Sequence, residues 1–160
     1  MDELLGGAGP TIQYDFAAVE GWYDRVPGSV GCLDEIFIPV NPDGNHWNFI
    51  HVKMQEKRIE LWDSLGLRAS NSKYLAATEK FVKDALISEA MTGRTAANHN
   101  RHSGWESTDR SGDSPRQEIK HDCGIFTLTS MCLIRDGLRL SRGGLHARHP
   151  HAKAGKEAPH

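Results

Sequence analysis

Two alternating runs, Trp47 to Met54 and Arg58 to Asp63, meet around Gln55-Glu56 and constrain the fold of this 160-residue chain more than any other feature. Successive side chains on a strand point to opposite faces, so a one-residue slip in pairing would turn a whole apolar set toward water. Setting Ile50 opposite Leu61 and Val52 opposite Ile59 keeps both apolar sets on one face. Extended by one pair, that register sets Asn48 opposite Asp63 and His46 diagonally across from Asp63. Diagonal neighbours lie ~7–8 Å apart at the backbone, a gap that a histidine and an aspartate can bridge. The pattern that buries the hairpin therefore predicts a His46–Asp63 pair.

The flanking segments supply a sheet edge and two packing helices. Tyr14, Phe16, Val19, Trp22 and Tyr23 are spaced for a short amphipathic helix within residues 14–26, ended by the loop Pro27 to Gly31. Glu35 to Val40 reads as a strand whose Pro39 requires an edge position, because proline has no N–H to donate. The turn formers Asn41 to Asn45 then deliver the chain to His46. Ser72 to Ala90 carries Leu75, Thr78, Val82 and Leu86 on one stripe and predicts a helix packed on the sheet, with Ser70, Asn71 or Ser72 as N-cap. Residues 93–115 form a long polar loop in which Trp105 holds a short strand or anchors the loop. Ile125 to Ile134 is apolar nearly all round, as expected of a central buried helix with Cys132 as core filler and Gly137 ending it.

Bulk properties narrow the class. A chain of this length, 38% hydrophobic and with net charge −2, suits one domain with a modest core. Its apolar runs fall well short of the ~20 residues that span a bilayer, and Met1-Asp2-Glu3 does not begin a secretory signal, so an intracellular protein without membrane attachment is expected. Cys32, Cys123 and Cys132 are odd in number and form no Cys-x-x-Cys pair, which argues against a disulfide framework. The basic stretch Arg135 to Lys156 has no interleaved aromatics, so no nucleic-acid partner is expected. His146, His149, His151 and His160 match no zinc spacing, and no metal is expected.

Cys123 stands where the polar stretch beginning at Gln117 gives way to the apolar helix, at the positive end of a helix dipole that favours the thiolate. Gly124 beside it keeps bulk away from the sulfur. A lone cysteine is more often buried and inert, and the weight here comes from what precedes it. In chain order come His46-Trp47, Asp63-Ser64, Gln117 and Asp122-Cys123-Gly124. That order and those neighbours resemble the catalytic domain of the ubiquitin-like-protein-specific (SUMO and NEDD8) cysteine proteases, over roughly residues 12–137.

The resemblance implies an α+β, papain-like fold of the ubiquitin-like protease type, with a central helix carrying the cysteine packed on a small mixed sheet with a β-hairpin. It implies a catalytic domain over 12–140, between a flexible residue 1–11 segment and a disordered 141–160 tail. Cys123 falls at the nucleophile, His46 at the base, Asp63 at its orienter, Gln117 at the oxyanion donor and Trp47 at a substrate-binding position. The implied activity is cleavage after the C-terminal Gly-Gly of a modifier of SUMO or NEDD8 type, by a monomer without cofactor. The family's longer N-terminal portion, with its Trp-Leu-x-Asp-type segment, has no counterpart among the 34 residues before the first strand, so the domain reads as truncated. Two further readings stay open: a catalytically inactive protein-binding module, and an acyltransferase of related fold.

Overall fold

In the computed structural model, which describes residues 14–19, 21, 28–41, 44–93, 103–117, 122–141 and 144–147, the hairpin sits at the centre of a four-stranded sheet. Strands β2 (Asn48–Lys53) and β3 (Arg58–Trp62) pair antiparallel with Ile50 opposite Leu61 and Val52 opposite Ile59, the register that the alternation dictates. The connecting turn closes through Lys57 at φ 52°. Strand β1 (Glu35–Val40) adds antiparallel to β2 and forms one edge, so Pro39 occupies the position its missing donor requires. Strand β4 (Glu106–Asp109) follows Trp105 and adds parallel to β3 at the other edge, which makes the sheet mixed.

Each face of the sheet buries a different helix. On one face Ile50, Val52, Ile59 and Leu61 pack against Leu75, Val82, Ala85 and Leu86 of helix α2 (Asn71–Met91), the stripe expected from the sequence. None of the cap candidates makes the expected bond: Ser70 stands at the N-cap without a side-chain hydrogen bond, and the Asn71 amide donates instead to Asp109 at 2.9 Å. On the other face Phe49 and Trp62 pack against Ile134 of helix α3 (Cys123–Arg135) and Leu140 of β5 (Leu138–Ser141). Gly137 ends α3 in the left-handed region at φ 82°, with its N–H on the Ile134 carbonyl. Of the first predicted helix, Phe16–Val19 is helical (α1), and Tyr14 ties this end to α2 through a 3.1 Å bond to Asp84; Trp22 to Val26 lie outside the described residues.

Three features depart from expectation. Helix α3 is not buried all round: Cys123, Thr127, Ser130 and Ile134 form its buried stripe, whereas Ile125 and Leu128 are 69% and 62% exposed. Cys132 is likewise exposed and is not core filler. The reason is one-sided packing, since α3 meets the sheet and β5 along a single stripe. Gly144–Ala147, within the stretch expected to be disordered, forms strand β6 antiparallel to β5. Finally, a buried carboxylate organises the approach to β1: Glu89 of α2 accepts hydrogen bonds from Ser29 Oγ, Val30 N and Gly31 N at 2.6, 2.6 and 3.1 Å. It thereby anchors the short 3₁₀ turn Val30–Cys32.

Among the described residues, no helix is long and apolar enough to cross a membrane.

Candidate active site

The sheet end where β2 begins and β3 finishes pairs His46 with Asp63, sets Trp47 beside the start of α3 and brings Ser64 against Gln117. Asn41, after β1, accepts the His46 backbone N–H on its side-chain oxygen at 3.3 Å, which fixes the exit of the turn. The imidazole is buried, and its Nε2 lies 2.7 Å from Asp63 Oδ1. With Nε2 held there, Nδ1 is the ring nitrogen left for proton exchange.

Asp63, one residue past β3, is fully buried. Its Oδ1 also accepts the Leu65 N–H at 2.8 Å, so backbone as well as histidine fixes the carboxylate. Buried Oδ2 has no hydrogen-bond partner among the described residues. A buried carboxylate held in this way fixes the orientation of the imidazole.

Cys123 opens α3 as a buried free thiol. Asp122 ahead of it makes no side-chain capping bond, which leaves the first backbone N–H groups of the helix uncommitted to it. Trp47, 41% exposed, lays its indole edge beside Gly124: a Cβ there would sit 3.5 Å from Trp47 Cδ1. That is ordinary contact, so Trp47 by itself does not require a glycine there. The same contact brings the residue after His46 against the residue after Cys123, joining the hairpin end to the helix start.

Gln117 reaches the site from the loop after β4. Its N–H lies 3.4 Å from the Ser64 carbonyl, and its Oε1 accepts from Ser64 Oγ at 2.6 Å. The carboxamide Nε2 is buried without a partner among the described residues. Beside this pair, Gly66 at φ 101° is pressed by the Arg116 guanidinium, and a Cβ at Gly66 would overlap that group. Two loops more than fifty residues apart in sequence thus hold each other by backbone, side-chain and steric contact. Nothing in the residue pattern pairs Ser64 with Gln117, because neither loop has a periodicity from which a partner can be read.

Among the described residues, no cluster of three or more His, Cys, Asp or Glu side chains could hold a metal ion.

Comparison with known proteins decides the lineage. Residues 8–138 match the family profile described as the Ulp1 protease family, C-terminal catalytic domain. The chain belongs to the Ulp1 protease family. This family chain is 31% identical to a Sentrin-specific protease of Caenorhabditis elegans over 116 residues, 72% of this chain and 15% of the relative. It is 27% identical to Ubiquitin-like-specific protease 1 of Saccharomyces cerevisiae over 114 residues, 69% of this chain and 16% of the relative. Its fold matches the SUMO protease Ulp1 with an oxidised catalytic cysteine at a TM-score of 0.65 and 24% identity, covering 78% of this chain and 52% of that one. It also matches the Ulp1 protease domain in complex with Smt3, the yeast orthologue of SUMO, at 0.63 and 23% with the same coverage. The Ulp1-type α+β fold expected from the sequence is therefore the fold observed, and this chain spans about half of each solved relative.

Proposed function

We propose that this chain is a cysteine protease or isopeptidase that cleaves after the C-terminal Gly-Gly of a ubiquitin-like modifier, SUMO rather than NEDD8. The observation that carries the reading is the buried 2.7 Å pair of His46 Nε2 and Asp63 Oδ1 at the sheet end, joined through the Trp47–Gly124 contact to the helix that Cys123 opens. SUMO is favoured over NEDD8 because the matched relatives include a Sentrin-specific protease and a domain seen with a SUMO orthologue.

In this reading the Cys123 thiolate attacks the carbonyl carbon of the terminal glycine, and the π electrons move onto the oxygen. Gln117 Nε2 and the Cys123 backbone N–H donate to that oxyanion. The imidazolium of His46 passes its proton to the leaving amine, the C–N bond breaks, and a thioester remains on Cys123. Neutral His46 then takes a proton from water as it attacks the thioester, and the thiolate departs from the free glycine carboxylate. Asp63 keeps the imidazole oriented through both steps. Trp47, half open to solvent beside Gly124, offers an aromatic wall to the side-chain-free Gly-Gly strand. Every group needed comes from the chain and no cofactor takes part.

The test is a panel of SUMO, NEDD8 and ubiquitin carrying a C-terminal propargyl group, which captures a reactive thiolate. Labelling of the wild type by the SUMO probe and none of Cys123→Ala supports the proposal. Silence with all three refutes it, and modifier binding that persists in Cys123→Ala without any labelling would favour the inactive binding module instead.

A further inference from the structure

The buried amide of Gln117 raises a problem of orientation. A carboxamide has a donor end and an acceptor end of nearly equal size, and an oxyanion is stabilised by one and repelled by the other. A free rotamer would sample both. Here Oε1 is occupied by Ser64 Oγ at 2.6 Å, while Nε2 is buried with no partner among the described residues. Ser64 follows Asp63 directly, so the segment that orients His46 also touches the amide.

We infer that Ser64 is a positioning residue: its hydroxyl donates to Gln117 Oε1, fixes the rotamer of the carboxamide, and thereby leaves Nε2 as the end presented to the developing oxyanion. The inference rests on the protease reading of the site. The hydrogen bond satisfies the acceptor end in the resting protein, so the donor end is the group left to be used in the transition state. The rest of the loop contact supports the same orientation. The Gln117 N–H reaches the Ser64 carbonyl at 3.4 Å, so the backbone that carries the side chain also lies against the Ser64 segment. What backbone contact cannot set is the torsion at the end of the side chain, and the Ser64 hydroxyl, bonded to Oε1, acts on that torsion. A preorganised donor costs no reorganisation at the moment of reaction, which is the source of its effect.

Loss of an oxyanion donor outright lowers kcat by about 10²–10³-fold. Loss of its orientation alone should cost less, about tenfold, because a rotamer search remains possible. The experiment compares the wild-type chain, Ser64→Ala, Ser64→Thr, Gln117→Ala and the Ser64→Ala/Gln117→Ala double variant on SUMO bearing a C-terminal fluorogenic amide. Ser64→Ala should lower kcat about tenfold with KM unchanged, Ser64→Thr should keep most of the activity, and Ser64→Ala should cost nothing further once Gln117 is alanine. Additive losses in the double variant, or a Ser64→Ala enzyme with wild-type kcat, would overturn the inference. An independent readout is the Gln117 side-chain amide in nitrogen-15 NMR. It should be rigid in wild type and mobile in Ser64→Ala, and equal mobility in the two would also overturn the inference. Because that measurement needs no turnover, a chain silent toward all modifier probes would refute the protease reading while the Ser64–Gln117 contact was still decided on its own.

Discussion

Replacing Glu89 by alanine should unfold the molecule more readily than any surface substitution on the same helix. The carboxylate is fully buried and accepts from Ser29 Oγ, Val30 N and Gly31 N. In Glu89→Ala the Gly31 N–H keeps the Ser29 hydroxyl as an acceptor at 3.1 Å, but the buried Val30 N–H loses its bond to Glu89. An orphaned buried donor costs about 1–3 kcal/mol, and hydrogen bonds to a charged acceptor contribute about 1.5–3 kcal/mol each. Removing the carboxylate also relieves its own desolvation, which offsets part of the loss. The balance is about 3 kcal/mol, or a fall in melting temperature of about 6–12 °C for a domain of this size. Glu89→Gln keeps one acceptor oxygen and should lose roughly half as much. Urea titration followed by tryptophan fluorescence reads both variants. A loss below ~1 kcal/mol for Glu89→Ala, or a larger loss for the glutamine than for the alanine, would refute the reasoning.

His51, fully buried against Phe37 at 4.4 Å between ring centroids, should make stability fall with acid. Burial holds its pKa below the ordinary histidine value and Lys53 adds to that, opposed by Glu35 and Glu60. The folded pKa is the lower one, so the contribution is present above about pH 6.5 and is lost as pH falls and the unfolded chain binds a proton the folded one refuses. Urea midpoints from pH 5 to 8 should drop below about pH 6.5 in wild type and drop less in His51→Phe. Gly66→Ala must adopt a φ of 101° and displace Arg116, so it should cost about 1–3 kcal/mol in urea titration and slow capture of Cys123 by a propargyl probe. Leu128→Ala on the exposed stripe of α3 should change stability by less than about 0.5 kcal/mol, whereas Ile134→Ala on the buried stripe should lose about 2–5 kcal/mol. Equal losses would mean that α3 is turned differently.

What could be read in advance was whatever one-dimensional period carries. The strict alternation through Ile50, Val52, Ile59 and Leu61 admits one register, and the His46–Asp63 contact follows from it. Pro39 could stand only at an edge, and the spacing of Leu75, Thr78, Val82 and Leu86 marked the face that α2 buries. The features that escaped depend on partners distant in sequence. Glu89 looks like any charged position on a helix until the Ser29 turn is folded over it. His51 falls on the opposite face from Ile50 and Val52 and reads as a solvent position, yet it is fully buried and stacked on Phe37. The residues Glu-Ser-Thr-Asp of β4 are too polar to signal a strand and owe their conformation to β3. The apolar circumference of α3 announced a fully covered helix, but periodicity cannot say how many neighbours a helix has.

The two rims of the sheet also bear on how these molecules behave when crowded. One is β1, interrupted by a proline; the other is β4, four polar residues long. Neither offers a foreign strand a long, flat, fully donating template. Growth of cross-β polymers from the native state is thereby discouraged at both ends of this four-stranded sheet.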